Sequence, residues 1–332
     1  MSFYPEKKLE FQKLLESLKG KKVAVLGHAR PDGDCIGSQA AFCRILSALQ
    51  VEAVCVNADP VPRRLQFLIG DTSFYEAKDF STEGYVAVTV DCADHKRIGP
   101  LLSKAFPLPV GNIDHHVSNT SYAEINIVES HSAATGEILA GLFLDEELLI
   151  DALSAQGLYV GIATDTGQFC FPATSKRVFR LSSQLIELGA DPAGASSELY
   201  EKESFAKLEL LGRFLKSFKQ ECGGRVCIGT LRRTDFSETG ATSEDTEGLV
   251  DYARAIDGVD VGVLIEDREE GIKGSLRSKE SIYRVDKVAS LFSGGGHACA
   301  AGLNTKIPYD SFYPEVVKAL GELLNEVDSK KS

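Results

Sequence analysis

Pro109-Val110-Gly111-Asn112-Ile113-Asp114-His115-His116 is the stretch that decides the fold. A largely apolar run of strand length stops in a carboxylate and two imidazoles, which makes sense where a buried strand delivers chemistry to a rim. The pattern recurs. Val23 to Gly27 reads as a strand leading into His28, Asp32 and Asp34, and the alternating run Tyr85 to Val90 ends at Asp91. A helical stretch from Leu148 to Ile162 delivers Asp165. Repeated delivery of carboxylates and imidazoles to one edge is how a two-metal site is assembled.

Between these runs, Ile36 to Leu49 reads as a helix and Val51 to Val56 as a second strand. Strands alternating with helices imply a parallel, doubly wound α/β sheet, in which ligands gather beyond the carboxyl ends of the strands. Imidazole and carboxylate ligands without an obligatory thiolate suit Mn²⁺, Mg²⁺, Co²⁺ or Zn²⁺. Two cations roughly 3.5–4 Å apart need a shared ligand, and a carboxylate can turn one oxygen to each. Asp91 is the candidate bridge, and ions so placed would activate a water near neutral pH to attack phosphorus.

The runs His28-Ala29-Arg30-Pro31-Asp32-Gly33-Asp34, Val90-Asp91-Cys92-Ala93-Asp94, Asp114-His115-His116 and Thr164-Asp165-Thr166-Gly167 resemble, in order, the four motifs of the DHH phosphoesterases. Gly294-Gly295-Gly296-His297-Ala298-Cys299-Ala300-Ala301-Gly302 resembles the signature of the DHH-associated C-terminal domain, with Ser293 where many relatives carry a fourth glycine. The resemblance implies His28, Asp32 and Asp91 on one metal and Asp34, Asp91, His115 and Asp165 on the other. It implies that His116 faces the scissile phosphate and its leaving oxygen, with Asp114 orienting a histidine. Two divalent ions, Mn²⁺ foremost with Mg²⁺ or Co²⁺ as alternatives, and a homodimer are further implications.

The resemblance also implies three parts: a catalytic metal-binding domain over 1–190, a linker with a connecting helix over 191–222, and a smaller α/β substrate-binding domain over 223–332. The breakers in Gly189-Ala190-Asp191-Pro192-Ala193-Gly194 mark the boundary. Lys176 to Leu188 reads as the preceding helix and Phe205 to Phe218 as the connecting one. Val226 to Leu231, Val259 to Ile265 and Ile272 to Leu276 are the later strand candidates. The active site is expected in the cleft between domains. There the Gly-rich loop would let backbone N–H groups of Gly295 and Gly296 approach an anion beside His297, and Ser275 and Arg277 end a strand with a planar fork suited to phosphate.

The implied function is hydrolysis of short 5′-phosphorylated oligonucleotides to 5′-mononucleotides and removal of the 3′-phosphate from 3′,5′-nucleoside bisphosphates. The alternatives are a linear or cyclic di-AMP phosphodiesterase and, in a different class, a non-catalytic nucleotide sensor, against which the intact ligand set argues. Composition sets bounds. The 332 residues suffice for two domains, and a 43% hydrophobic, 25% charged chain is ordinary for a soluble protein. The net charge of −12 disfavours long nucleic acid, whose binding needs clustered Lys and Arg, but leaves short anionic partners open.

No apolar run reaches the roughly 18 residues of a membrane span. The N-terminus reads as an amphipathic helix carrying Leu9, Phe11, Leu14, Leu15 and Leu18, so a cytoplasmic location is expected. The eight cysteines form no C-x-x-C pair and read as reduced core thiols. His95 reads as a surface histidine, and Arg97 equally as a phosphate contact or an ion-pair partner. Ser132 and Thr135 read as helix caps, and Glu266, Asp267, Glu269 and Glu270 as a solvated turn.

Overall fold

The apolar runs become strands almost where the sequence places them. The computed structural model describes residues 2–331, the side chains of His297 and Lys331 excepted. The chain divides after Lys202 into two compact units. The first unit runs α1 (Lys8–Leu18), β1 (Lys22–Leu26), α2 (Gly33–Ala48), β2 (Glu52–Asn57), β3 (Phe74–Glu76), β4 (Tyr85–Val90), α3 (Pro100–Ala105), β5 (Gly111–Asp114), β6 (Ile125–Val128), α4 (Thr135–Asp145), α5 (Ala152–Asp165), α6 (Lys176–Glu187) and α7 (Pro192–Tyr200). Its six strands pair in the order β3-β2-β1-β4-β5-β6. Every pairing is parallel.

That order reverses direction at β1: β2 and β3 lie to one side, and the chain then crosses to build β4, β5 and β6 on the other. Such a switch point opens a crevice beyond the strand ends. The core is mostly aliphatic around a triad of Phe11, Phe42 and Phe143, whose ring centroids lie 6.0–6.4 Å apart. In α1, Phe11, Leu14 and Leu18 are buried at helical spacing while Leu9 faces solvent. Helix α5 begins at Ala152, later than the expected Leu148, because the Asp151 carboxylate accepts from Ser154 N–H at 2.8 Å and caps it there.

The breakers at 189–194 serve a different purpose from a domain boundary. Gly189 is left-handed (φ +107°) after α6, Asp191 caps α7, and Pro192 opens that helix. These are helix stop and start signals inside the first unit. The expected linker therefore falls on both sides of the division, with α7 in the first unit and the connecting helix in the second.

The second unit runs α8 (Phe205–Lys216), β7 (Lys219–Glu221), β8 (Val226–Leu231), α9 (Arg233–Thr239), α10 (Leu249–Arg254), β9 (Val261–Arg268), β10 (Gly271–Ser278), α11 (Val285–Ser290), β11 (Gly295–His297), β12 (Ala300–Thr305) and α12 (Tyr309–Lys331). Its sheet is mixed, in the order β11-β12-β10-β9-β8-β7, with β8 and β9 the parallel pair. The acidic segment at 266–270 is only partly a solvated turn. Glu266 is fully buried on β9, paired to Lys273 at 3.1 Å and to Arg268, and Asp267 pairs with Arg232 at 2.8 Å. Among the described residues no helix is long and apolar enough to cross a membrane. All eight cysteines are free; Cys35, Cys43, Cys55, Cys92 and Cys227 are buried, whereas Cys170 is exposed.

Candidate metal centre

β1, β4 and β5 are consecutive partners across the switch point or beside it, so the residues that follow them converge. His28 lies just beyond β1, Asp91 follows β4, Asp114 ends β5, and His115 and His116 come next. Asp91 is buried and takes a left-handed φ of +55°, a strained conformation for a non-glycine residue that turns the chain sharply at the strand end. Its two oxygens face different imidazoles. Oδ2 is 3.4 Å from His28 Nε2, and Oδ1 is 3.5 Å from His115 Nε2.

Around each imidazole the other carboxylates gather. Asp32 Oδ2 is 3.7 Å from His28 Nε2, while Asp165 Oδ2 and Asp34 Oδ2 are 3.3 Å and 4.0 Å from His115 Nε2. Two ligand groups thus share Asp91. The Cys35 sulfur, inside the first motif, also comes within 4.8 Å of ligand atoms of His28 and Asp91. Both ring systems are held from behind: His28 Nδ1 donates to the Ala29 carbonyl (2.9 Å) and His115 Nδ1 faces the Ser132 carbonyl (3.4 Å). Each therefore presents Nε2 forward, as a metal-ligating histidine must.

Asp34 is fixed by a helix terminus. Thr135 N–H donates to its Oδ2 (2.6 Å) and Gly136 N–H to its Oδ1 (2.8 Å), so the carboxylate occupies the positive end of α4. This corrects the reading of Thr135 and Ser132 as caps. Thr135 instead donates its hydroxyl to Asp91 Oδ1 (3.2 Å), and the Ser132 hydroxyl pairs with Tyr4 and Arg177. His95 is corrected too, since it is half-buried against Tyr122 with Nε2 on the Phe106 carbonyl (2.8 Å). Arg97 contributes main chain, its carbonyl accepting from Ala29 N–H at 2.6 Å and tying the His28 loop to the residues after Asp91.

The donor set fits divalent cations electrostatically as well as chemically. Burial opposes charge on His28, yet Asp32 and Asp91 push its pKa up to about 10; likewise Asp91, Asp165 and Asp34 push His115 up to about 12 against its burial. Burial raises Asp34 well above the usual carboxylate range, and Asp165 to about 6. Asp91 is also opposed by burial, but the two histidines hold it well below that range. Clustered carboxylates that recruit protons onto neighbouring imidazoles are a site built for positive charge. Divalent ions held by these residues would supply that charge and displace the protons.

His116 lies within reach of the same cluster, a ligand atom within 4.8 Å of those of Asp91 and His115, but its nearest partner is a different carboxylate. Its Nδ1 donates to Asp114 Oδ1 at 2.7 Å, whereas Asp91 Oδ1 is 3.7 Å away. Asp114, wholly buried, thus orients this histidine.

The second unit arranges its own candidates in rows. Arg277 and Ala300 pair across β10 and β12, and Ala300 pairs with His297 of β11; Ser275 pairs with Gly302, which pairs with Gly295. Directly opposed residues share a face, so Ser275, Arg277, Gly295 and the strand position of His297 belong to one side of the sheet. The His297 side chain lies outside the described residues. Gly296 falls in the alternate row with Ala301 and Leu276, and a Cβ there would meet the Ala300 carbonyl oxygen at 2.4 Å. Gly294 likewise abuts the Gly302 carbonyl, while Gly295 has open space. Two of the three glycines therefore serve close strand packing rather than an anion loop. Arg277 is half-buried, its pKa lowered by desolvation, and its guanidinium donates to the neighbouring Leu276 carbonyl at 3.1 Å.

A switch-point crevice with a shared carboxylate between two imidazoles defines a class of α/β metal-site proteins, the class expected from the four motifs. The chain belongs to the DHH family of phosphoesterases: the DHH family N-terminal domain matches residues 22–162 and the DHHA1 domain residues 209–328. It is 31% identical over 323 residues to the bifunctional oligoribonuclease and PAP phosphatase NrnA of Thermus thermophilus, covering 97% of this chain and 95% of that one. The fold is that of an exopolyphosphatase-related protein from Bacteroides fragilis, with a TM-score of 0.90 at 22% identity over 97% of this chain and 98% of that one. RecJ of Thermus thermophilus, solved in complex with Mn²⁺, aligns with a TM-score of 0.50 at 15% identity over 96% of this chain and 55% of its own.

Proposed function

We propose that this chain is a two-metal phosphohydrolase, working with Mn²⁺, that cleaves short 5′-phosphorylated oligonucleotides to 5′-mononucleotides and removes the 3′-phosphate of 3′,5′-nucleoside bisphosphates. The observation that carries the reading is Asp91, with one oxygen toward His28 and the other toward His115. His28, Asp32 and Asp91 would hold one ion and Asp34, Asp91, His115 and Asp165 the other. When bound, the ions supply Lewis acidity and a nucleophilic water for attack at phosphorus.

The chain's own groups do the rest. Asp34, clamped by the α4 terminus, and Thr135, bonded to Asp91, keep the ligand oxygens in place. His116 donates a proton to the departing oxygen, and Asp114 holds its ring in the required orientation. Ser275, Arg277, Gly295 and His297 of the second unit grip the substrate's 5′-phosphate, with Gly296 packing β11 onto β12 behind them. The name of the Thermus thermophilus relative, an oligoribonuclease and PAP phosphatase, supports this pair of substrates.

The test is Mn²⁺-dependent release of phosphate from adenosine 3′,5′-bisphosphate and of mononucleotide from a 5′-phosphorylated dinucleotide. Asp91→Ala, folded by circular dichroism, should lose at least about a thousandfold in kcat. His115→Ala should lose metal, whereas His116→Ala should keep it and lose roughly 10²–10⁴-fold in kcat, as for a general acid. Near-normal turnover by a folded, metal-loaded Asp91→Ala protein would sink the assignment.

A further inference from the structure

The Asp114–His116 pair rests on a polar network that the reaction as described does not use. Asp114 and Asn112 are both fully buried at the end of β5. One Asp114 oxygen takes His116 Nδ1 (2.7 Å), and the other accepts from Asn119 Nδ2 at 2.6 Å. The same Asn119 nitrogen donates to Asn112 Oδ1 at 2.8 Å. Asn112 Nδ2 in turn reaches Thr89 Oγ1 (2.9 Å), while Tyr122 Oη lies 2.9 Å from both Thr89 Oγ1 and the Cys92 carbonyl, its single proton serving one of them at a time.

The Asn119 amide can be oriented in one way only. A carboxylate accepts and a backbone N–H donates, so the side-chain nitrogen must face Asp114 and the oxygen must face Ser121 N–H, 2.7 Å away. The side chain thus has two jobs on two atoms. Its oxygen closes the turn after His116, and its nitrogen occupies one Asp114 oxygen, leaving the other for the imidazole.

We infer that Asn119 is a positioning residue for catalysis: by donating to Asp114 it locks the rotation of that carboxylate, and so the ring plane and tautomer of His116. Asp114 depends on these two donors for its orientation. Without the Asn119 N–H the buried carboxylate turns to recover a partner, and His116 Nδ1 follows it, swinging Nε2 away from the leaving oxygen. Loss of a hydrogen bond that orients a working histidine costs roughly 10–100-fold where such partners orient a metal site, and the same scale is expected here.

The inference rests on the reading of His116 as the proton donor, and the isostere Asn119→Asp separates the two jobs. It keeps the oxygen that closes the turn and, at a pH high enough to ionise both carboxyls, has no proton to donate to Asp114; below that pH the pair shares a proton and the donation returns. With adenosine 3′,5′-bisphosphate and Mn²⁺ at that higher pH, Asn119→Asp and Asn119→Ala should both lower kcat roughly 10–100-fold, with KM and bound Mn²⁺ within about twofold of the parent. Added to His116→Ala, either should cost nothing further, since the group being positioned is gone. Parental kcat in Asn119→Ala, or in Asn119→Asp at that higher pH, would overturn the inference, as would a loss that adds in full to that of His116→Ala. Undiminished kcat in His116→Ala would overturn the underlying reading itself, whatever the Asn119 variants do.

Discussion

Asp91 and Ser293 both adopt left-handed backbone, φ +55° and +61°, and the strain has a different meaning in each. At Asp91 the side chain that forces the cost is the one the site needs. At Ser293 the side chain is exposed, just ahead of the glycines that pack β11 onto β12, in the position where the resembling family carries glycine. A left-handed non-glycine residue costs about 1–2 kcal/mol, and glycine returns roughly 0.5–1 kcal/mol of that through greater freedom of the unfolded chain. The balance favours glycine. Ser293→Gly should raise the melting temperature by about 3 °C, and a lowered one in a thermal melt would show that the hydroxyl contributes more than its backbone costs. The residue scale is also where the sequence was most legible. A candidate ligand that directly follows a strand run is a local pattern, and His28, Asp91 and His115 are of that kind. Thr135 was misread because a hydroxyl at the start of a helix ordinarily caps it, and the group that took the cap, Asp34, lies 101 residues away in sequence.

Elements bring the remote ligands together. Asp34 opens α2 and Asp165 closes α5, and both helices carry glycines four apart, Gly33 and Gly37 on one, Gly157 and Gly161 on the other. A Cβ on Gly37 would lie 2.1 Å from the Gly157 carbonyl oxygen, and one on Gly161 would lie 2.5 Å from Asp34 Oδ1. The helices touch backbone to backbone, and that contact sets the distance between the two carboxylates. Overpacking a close contact costs about 1–3 kcal/mol. Gly37→Ala should therefore lower both the melting temperature and the affinity for Mn²⁺, the latter by about tenfold for a shift worth 1.4 kcal/mol. Gly212 in α8, with no neighbour within 4 Å of a Cβ, is the control; its replacement by Ala should stabilise by about 0.5–1 kcal/mol and leave metal affinity alone. Unchanged Mn²⁺ titration and melting in Gly37→Ala would mean that the crossing tolerates the extra carbon. The helices themselves were legible as the runs Ile36 to Leu49 and Leu148 to Ile162. Their contact was not, because a sequence does not show which backbone approaches which.

At the scale of the whole molecule, a net charge of −12 leaves the proposed phosphate contacts to a few places. The first unit gathers the candidate cation ligands, and the second aligns Ser275, Arg277 and Gly295 on one sheet face. With so acidic a chain, a long strand is expected to gain little beyond its first nucleotides, so chain ends rather than chain length should govern turnover. The polarity follows from which end is gripped. If the second unit holds the 5′-phosphate while the metals act at that nucleotide's 3′-phosphorus, a bisphosphate loses its 3′-phosphate and an oligonucleotide loses its first 5′-mononucleotide. The remainder then carries a fresh 5′-phosphate and can bind again. Arg277→Ala should raise KM for both substrates together, whereas a dinucleotide with a 5′-hydroxyl should be poor for the parent enzyme and lose little more in the variant. A time course on a short RNA labelled differently at its two ends reads the direction itself: the 5′-terminal nucleotide should appear first as mononucleotide, and earlier release of the 3′-terminal one would show that the grip is on the other end.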